Sequence, residues 1–392
     1  MSRYRPVDEK QLVDIVTAAV ASEESLEIVG GGSKRNLGRP TQLPHTLDVA
    51  AFAGIRQYEP EELVLTAGAA TPLAEIERAL GAKRQMLAFE PADWRSLLGS
   101  TAASPTLGGI VACNLSGPRR IRQGAARDHV LGVAAVSGRG EAFKAGGRVV
   151  KNVTGYDLCK LLASSYGTLA VMTEISVKVL PAPEATRTVA LAGLDDARAV
   201  AAMIHGLNSP HELSGAAHLP KADEHARTIL RVEGPLPSVE ARSQALRDEL
   251  KPFGAAEIFG DADSLRLWTA VRDAQPLAAG ERAIWRVSLA PTAAPTFLSA
   301  VRAALDVDYF LDWGGGLVWL AVQGADDGGA GSIRAALRGQ GHATLIRAPA
   351  ALRAAVPVFE PLSPALAALS ARVKDGFDPK RILNRGRLYP EL

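Results

Sequence analysis

Apolar residues recur along this chain in two rhythms, and the change from one to the other divides it. Near the start, Leu12, Val13, Ile15, Val16, Ala19 and Val20 fall at helical spacing behind Asp8, a good N-cap residue. Leu26-Glu27-Ile28-Val29 then reads as a short strand running into Gly30-Gly31-Gly32, and Leu63-Val64-Leu65-Thr66-Ala67 as another. Thr71-Pro72 predicts the next helix start, with a capping hydroxyl and a proline at the first helical position, and Gly81 predicts its end. A buried strand over residues 131–136 turns at Gly138–Gly140 into a second strand near Phe143. Alternation over residues 175–180 stops at Pro181 and Pro183, which places a boundary there.

Beyond that boundary, strand-like runs at 188–192, 228–232, 283–290 and 317–322 alternate with Ala/Arg-rich amphipathic stretches at 195–207 and 239–253. This pattern predicts an antiparallel sheet with helices on one face. Residues 350–392 resemble neither flanking sheet and end in the turn-rich run Asp378-Pro379-Lys380-Arg381-Ile382-Leu383-Asn384-Arg385-Gly386-Arg387. The expected fold class is α+β in three parts: residues 1–183, 184–349 and 350–392.

Composition narrows the function. A length of 392 residues suits two or three domains at ~100–200 residues each. Apolar residues at 47% and charged residues at 22% fit an ordinary globular chain. With 44 basic and 42 acidic residues and no basic block, nucleic-acid binding is not suggested. Cys113 and Cys159 are too few for an iron–sulfur cluster or a structural zinc site, and read as buried small hydrophobes. Met1 to Lys10 is polar, and no apolar run reaches the ~18 residues of a membrane span. The expectation is a soluble, cytoplasmic protein, with attachment to the inner face of the membrane through a partner left open.

Three small-residue clusters carry candidate chemistry. In Val29-Gly30-Gly31-Gly32-Ser33-Lys34-Arg35-Asn36-Leu37-Gly38, consecutive glycines after a strand can form a backbone nest for an anion, with Lys34 and Arg35 adding charge; a plain tight turn is the alternative. A positive φ at Gly31 or Gly109 would forbid a side chain there. Residues 105–117 (Pro105, Thr106, Gly108, Gly109, Asn114, Ser116, Gly117) combine close-approach glycines with hydrogen-bonding side chains, followed by Gly124 and an Arg127–Asp128 ion pair. The third cluster, Gly146 to Leu158, continues into Ser164-Ser165-Tyr166-Gly167-Thr168-Leu169-Ala170-Val171.

In order, Thr-Leu-Gly-Gly at 106–109, Lys-Asn-Val-Thr-Gly-Tyr-Asp-Leu at 151–158 and Gly-Thr-Leu at 167–169 resemble the FAD domain of the vanillyl-alcohol-oxidase superfamily. That resemblance implies a two-subdomain PCMH-type FAD-binding domain in the first part, an α+β substrate domain in the second, and a C-terminal segment that returns to the flavin. It implies FAD contacts at Gly30, Gly31, Gly32, Ser33, Lys34, Leu37, Gly38, Pro105, Thr106, Gly108, Gly109, Asn114, Ser116, Gly117, Gly124, Arg127, Asp128, Gly167, Thr168, Val171 and Asn384. Relatives that bond FAD covalently carry a His in the first loop; Ser33-Lys34 stands there, which implies non-covalent FAD. His45, beyond the loop, reads as a surface residue. Ser164 and Ala170 replace glycines of many relatives, tightening the adenine end.

Phe89-Glu90-Pro91, Ser116-Gly117-Pro118-Arg119-Arg120, residues 127–132 and Asp312-Trp313-Gly314-Gly315 look most like the FAD-binding E subunits of bacterial glycolate oxidases. These belong to complexes with a related flavoprotein D subunit and an iron–sulfur F subunit, oxidising glycolate to glyoxylate. Two other readings stay open: a non-catalytic flavin relay or assembly subunit, and a free-standing FAD dehydrogenase of another 2-hydroxy acid. The metal motif Gly-Asp-Gly-Asn-x-His of related dehydrogenases is absent from the sequence, and Gly206, Pro210 and Pro220 interrupt the series His205, His211, His218, His225. No metal is expected. His129 is either a base or a hydrogen-bonded structural residue. Arg119, Arg120 and Arg148 are candidate cations for a substrate carboxylate, and no catalytic base is identified. An obligate partner surface is expected as an apolar patch near Trp313 and Trp319; the alternative places both in the core.

Overall fold

The computed structural model describes residues 2–101, 104–147, 155–222 and 225–392; Arg148 and the Lys151–Thr154 part of the third cluster lie outside the described residues. The fold is α+β. Ser2–Tyr4 and Leu26–Val29 pair in parallel with His45–Asp48 between them. Asp8 caps the helix Glu9–Ser22 by accepting from Gln11 N at 2.8 Å, and Leu12, Val16 and Ala19 bury its apolar stripe. The second small sheet is antiparallel, in the order Ile55–Glu59, Val64–Gly68, Ala170–Lys178, Val130–Ser137, Ala142–Gly146. Thr71 does not cap the helix Leu73–Gly81. Its hydroxyl turns back and donates to Gly68 O at 2.6 Å, satisfying the tight turn that leaves the strand.

The eight-stranded sheet of the second half is antiparallel throughout. Gly215–Ala222 and Asp306–Asp312 lie at its centre, followed outward by Leu317–Gln323 and Ala283–Ser288. Side chains alternate between its two faces. Trp285, Val287, Leu311, Val318 and Leu320 pack one face under the helices Asp196–Leu207, Ala294–Ala304 and Ala330–Leu337. Ile284, Phe310, Leu317, Trp319 and Ala321 point the other way and share a core with Phe89, Trp94 and Leu97 of the first half. The helix Asp261–Arg272 joins that second face through Trp268 and Val271, so the expectation of helices on one face alone misses it.

A buried ion cluster crosses the same seam. Arg231 donates to both Glu90 oxygens at 2.9 Å, and Arg119 pairs with Glu233 at 2.6 Å and with Glu90 at 3.1 Å. The guanidinium groups hold Glu90 below the usual carboxylate range and Glu233 at about 2, against the opposing cost of burial.

The expected apolar patch at Trp313 and Trp319 does not form. Trp319 is in the seam core, edge-on to Trp94 at 5.2 Å, because its strand face is the one covered by the first half. Trp313 is half-buried between guanidinium groups. Exposed leucines lie elsewhere, at Leu265, Leu366 and Leu369. Among the described residues, no helix is long and apolar enough to cross a membrane.

Candidate functional site

A cleft of about 110 Å3 opens between the two small sheets. The loop from Gly30 to Arg35 forms one wall; Gly108, Gly109, Ala112 and Cys113 of the helix Leu107–Cys113 form another. Tyr166, Gly167, Ala170 and Met172 form the third, and Asn384 and Arg387 of the C-terminal segment close it.

At Gly31 and Gly108 glycine is needed for space rather than for φ, whereas Gly32 and Gly167 have positive φ. A Cβ on Gly31 would stand 2.6 Å from Ser104 O and 3.0 Å from Thr106 Cγ2, and one on Gly108 would stand 2.8 Å from Ala69 O. Gly31 and Gly109 do not have the positive φ considered from sequence, and Gly109 is the roomier site, with Thr106 Oγ1 at 3.2 Å. Thr106 caps the helix by accepting from Gly109 N at 3.3 Å, which fixes the glycine pair against the loop.

The charged side chains lining the cleft are all basic. Lys34 is buried, donates to Ser33 Oγ at 3.3 Å, and meets no carboxylate in an ion pair among the described residues. Burial pulls its pKa down. Arg387, equally buried, donates to Lys34 O at 2.6 Å and likewise has no carboxylate partner among the described residues. Arg35, by contrast, is engaged with Glu27. Two buried cations facing a close-packed glycine wall fit a ligand with a multiply charged anionic centre.

The C-terminal segment is tied in by local chemistry. Asn384 Oδ1 accepts from Ile28 N at 2.9 Å and its amide donates to Tyr166 O at 2.7 Å. Lys374, fully buried, donates to Thr168 O at 2.6 Å, Leu383 O at 3.1 Å and Asp378 at 2.8 Å. Gly38, at φ +86°, brings its backbone against Arg387, whose carbonyl accepts from Arg39 N at 2.9 Å.

Of the residues singled out from sequence, Gly30, Gly31, Gly32, Ser33, Lys34, Thr106, Gly108, Gly109, Gly167 and Asn384 come together on the cleft. Arg35 lines it too, and the other FAD contacts that the resemblance implied are not among its lining residues. Leu37 is in the core, and Pro105 O accepts from Leu73 N at 2.9 Å. Thr168 donates to Ser165 O at 2.7 Å, and Val171 packs behind the sheet. Asn114 and Ser116 accept from Arg127 N at 3.0 Å and Ala126 N at 2.8 Å, bracing the turn after the helix. Gly117 O accepts from Trp313 Nε1 at 3.2 Å. Gly124 lies against Asp128, which pairs with Arg127 at 3.6 Å on the surface. Cys159 is buried, and Cys113, partly buried and packed against the same core, also lines the cleft. Ser164 is exposed and off the cleft, whereas Ala170 lines it.

Tyr166 and Arg387 were missed. Each joins the cleft through contacts remote in sequence, and the only local signals were a charge inside the turn-rich tail and an aromatic before Gly167.

The histidines serve separate partners. His129 Nε2 lies 2.8 Å from Gln123 O, with its ring on Phe89, in a structural setting. His45 is not a surface residue: it packs on Tyr4, 3.1 Å from Glu24, because its strand is the middle one of its sheet. His211 faces Glu249, His218 faces Thr228 and Asp196, and His205 packs on Phe253. Of the candidate cations, Arg119 is consumed by Glu90 and Glu233, while Arg120 stacks 4.5 Å over Trp313.

Comparison with known proteins agrees with this geometry. Residues 3–146 match the model of the FAD binding domain family. Glycolate oxidase subunit GlcE of Escherichia coli (strain K12) is 37% identical over 386 residues, spanning 97% of each chain. Glycolate oxidase subunit GlcD of Bacillus subtilis (strain 168) is 33% identical over 172 residues, 43% of this chain and 35% of that one. Among solved structures, 4-ethylphenol oxidase from Gulosibacter chungangensis superposes with a TM-score of 0.73 at 14% identity, covering 99% of this chain and 89% of that one. Matched from end to end by one relative and through its first part by the domain model, the chain belongs to the glycolate oxidase subunit GlcE family of FAD-dependent oxidoreductases, and FAD is its cofactor.

Proposed function

We propose that this chain is the FAD-binding subunit of a glycolate oxidase complex that converts glycolate to glyoxylate, and that it holds FAD without a covalent bond. The observation that carries this reading is the 37% identity to the Escherichia coli subunit across 97% of both chains. The cleft supports it. Gly30–Gly32, Gly108, Gly109 and Gly167 offer backbone at close range, and Lys34 and Arg387 are the counter-charges for the cofactor's pyrophosphate.

Ser33-Lys34 offers no imidazole for a covalent link. Burial raises the pKa of both Tyr166 and Cys113, which keeps these cleft residues protonated and weakly nucleophilic. When bound, FAD supplies the acceptor for the hydride leaving the hydroxyl-bearing carbon. The chain's own part is to bind and orient that cofactor and to exclude water beneath the second half.

Two cysteines cannot ligate a cluster within this chain. The onward route for electrons therefore runs through a flavoprotein D-like subunit and an iron–sulfur F-like subunit, which also provide any attachment to the inner face of the membrane. The test is to purify the chain alone and with those two partners, and to assay glycolate-dependent quinone reduction. Sustained turnover is expected only in the complex. Quinone reduction by the lone chain, unchanged on adding partners, would contradict the subunit reading.

A further inference from the structure

Besides the ion cluster of Arg231 and Glu233, the sheet face that meets the first half carries a second polar corner. Arg286 is paired across the strands with Trp319 and Thr344, and Ser288 with Leu317 and His342. Strand alternation puts Arg286 and Ser288 on the face of Ile284, opposite Trp285 and Val287. Asp312 ends the strand that carries Phe310 on the same face. His342 is exposed, so this corner opens to solvent.

Three features set the corner apart. Arg286 Nε is shut off from solvent with no hydrogen-bond partner among the described residues. Arg334 Nε is in the same state, but Arg334 donates through Nη2 to Pro357 O at 2.6 Å, and Arg231, Arg353 and Arg387 are engaged on Glu90, on Asn36 O and Gly38 O, and on Lys34 O. Next, Trp313 is clasped between two cations, with Arg286 4.8 Å from its ring centre and Arg120 4.5 Å. Finally, Trp313 sits at φ +53° and Gly314 at φ +67°. A left-handed tryptophan is strained, and such strain persists where surrounding contacts hold a functional arrangement in place. Here one contact is Trp313 Nε1 donating to Gly117 O, across the seam. Arg286 also lies near enough to Tyr166, a wall of the FAD cleft, to bear on the ionisation of its phenol.

We infer that Arg286, with Arg120 across the Trp313 ring, is the anchor for the carboxylate of the small hydroxy acid. The inference rests on the glycolate oxidase reading and assigns it a substrate corner. A guanidinium fork recognises a carboxylate through two parallel N–H donors, and a half-buried guanidinium whose Nε has no hydrogen bond is completed by one.

Oxalate is a suitable probe: it has glycolate's size and no C–H bond to lose. Its binding is measured by titration calorimetry on the FAD-loaded chain, with flavin content read in the same samples. Wild type binds oxalate, Arg286→Leu loses roughly 10- to 100-fold in affinity at unchanged flavin content, and Arg286→Lys recovers part of it. Arg120→Gln, which leaves the sheet untouched, also weakens binding, while Arg122→Gln, paired with Glu212 at the surface, does not. Unchanged oxalate affinity in Arg286→Leu and Arg120→Gln overturns the inference, as does a wild type that carries flavin but binds no oxalate. Loss of flavin rather than of oxalate in Arg286→Leu would assign the guanidinium to the cofactor and also overturn it. A wild-type chain without flavin would instead strike the glycolate oxidase reading, and calorimetry still reports oxalate in that sample.

Discussion

Asp312 ends its strand with a fully buried carboxyl that accepts from Trp313 N at 2.7 Å. Burial pushes its pKa up to about 7, against the weaker pull of that hydrogen bond and of the nearby arginines. The folded state therefore holds a proton that the unfolded chain releases near pH ~4. Stability from this group falls as pH rises from about 4 to 7 and stays reduced above. Asp312→Asn keeps an acceptor and removes the ionisation, so the variant should gain roughly 2–4 kcal/mol over wild type at pH 8 and little at pH 4. Urea unfolding at the two pH values checks it, and an equal difference at both would refute it. At this scale the glycines of the cleft were legible in sequence because Gly runs after a strand have few structural uses. For Gly31 and Gly108 the reason was not: crowding by Ser104 and Ala69, rather than positive φ, is a property of packing.

Elements were readable where their signals are local. The Asp8 cap, the strand into the glycine loop and the hairpin from Val130–Ser137 to Ala142–Gly146 all follow from neighbours in the chain. The helix Pro364–Phe377 escaped notice because Leu366, Ala367 and Leu369 are exposed and leave no buried stripe to read. Its anchor is Lys374, whose ammonium is spent on Asp378 and two carbonyls of other segments. Asp378 in turn accepts from Ile382 N at 3.0 Å and Leu383 N at 2.8 Å, the start of the run that reaches Asn384 and Arg387. Lys374→Met should cost roughly 3–5 kcal/mol by leaving Asp378 buried without its cation, and should release the tail from the cleft. Thermal unfolding and limited proteolysis test this; a wild-type melting temperature with an uncut C-terminus would contradict it.

At the scale of the whole molecule, the two halves are joined by an apolar seam and by the cluster of Glu90, Arg119, Arg231 and Glu233. No sequence window contains this cluster, since its members come from three distant segments. Removing one member exposes the rest: Glu90→Ala leaves Arg231 buried without its bidentate partner, at a cost of roughly 3–5 kcal/mol. Glu90→Gln retains an acceptor and should cost less; denaturant titration that ranks the two variants the other way would contradict this account of the seam.

The seam fixes the second half against the first, and the central claim is that the cleft of the first half holds FAD non-covalently on its glycine wall. The direct measurement is flavin content after desalting and acid precipitation, for wild type and for Gly31→Val. The variant forces a branched side chain onto Ser104 O, which already lies 2.6 Å from where a Cβ would stand. Wild type should release near-stoichiometric FAD into the acid supernatant, and a folded Gly31→Val chain should carry almost none. Flavin that stays with the precipitate, or full occupancy in the variant, would contradict it.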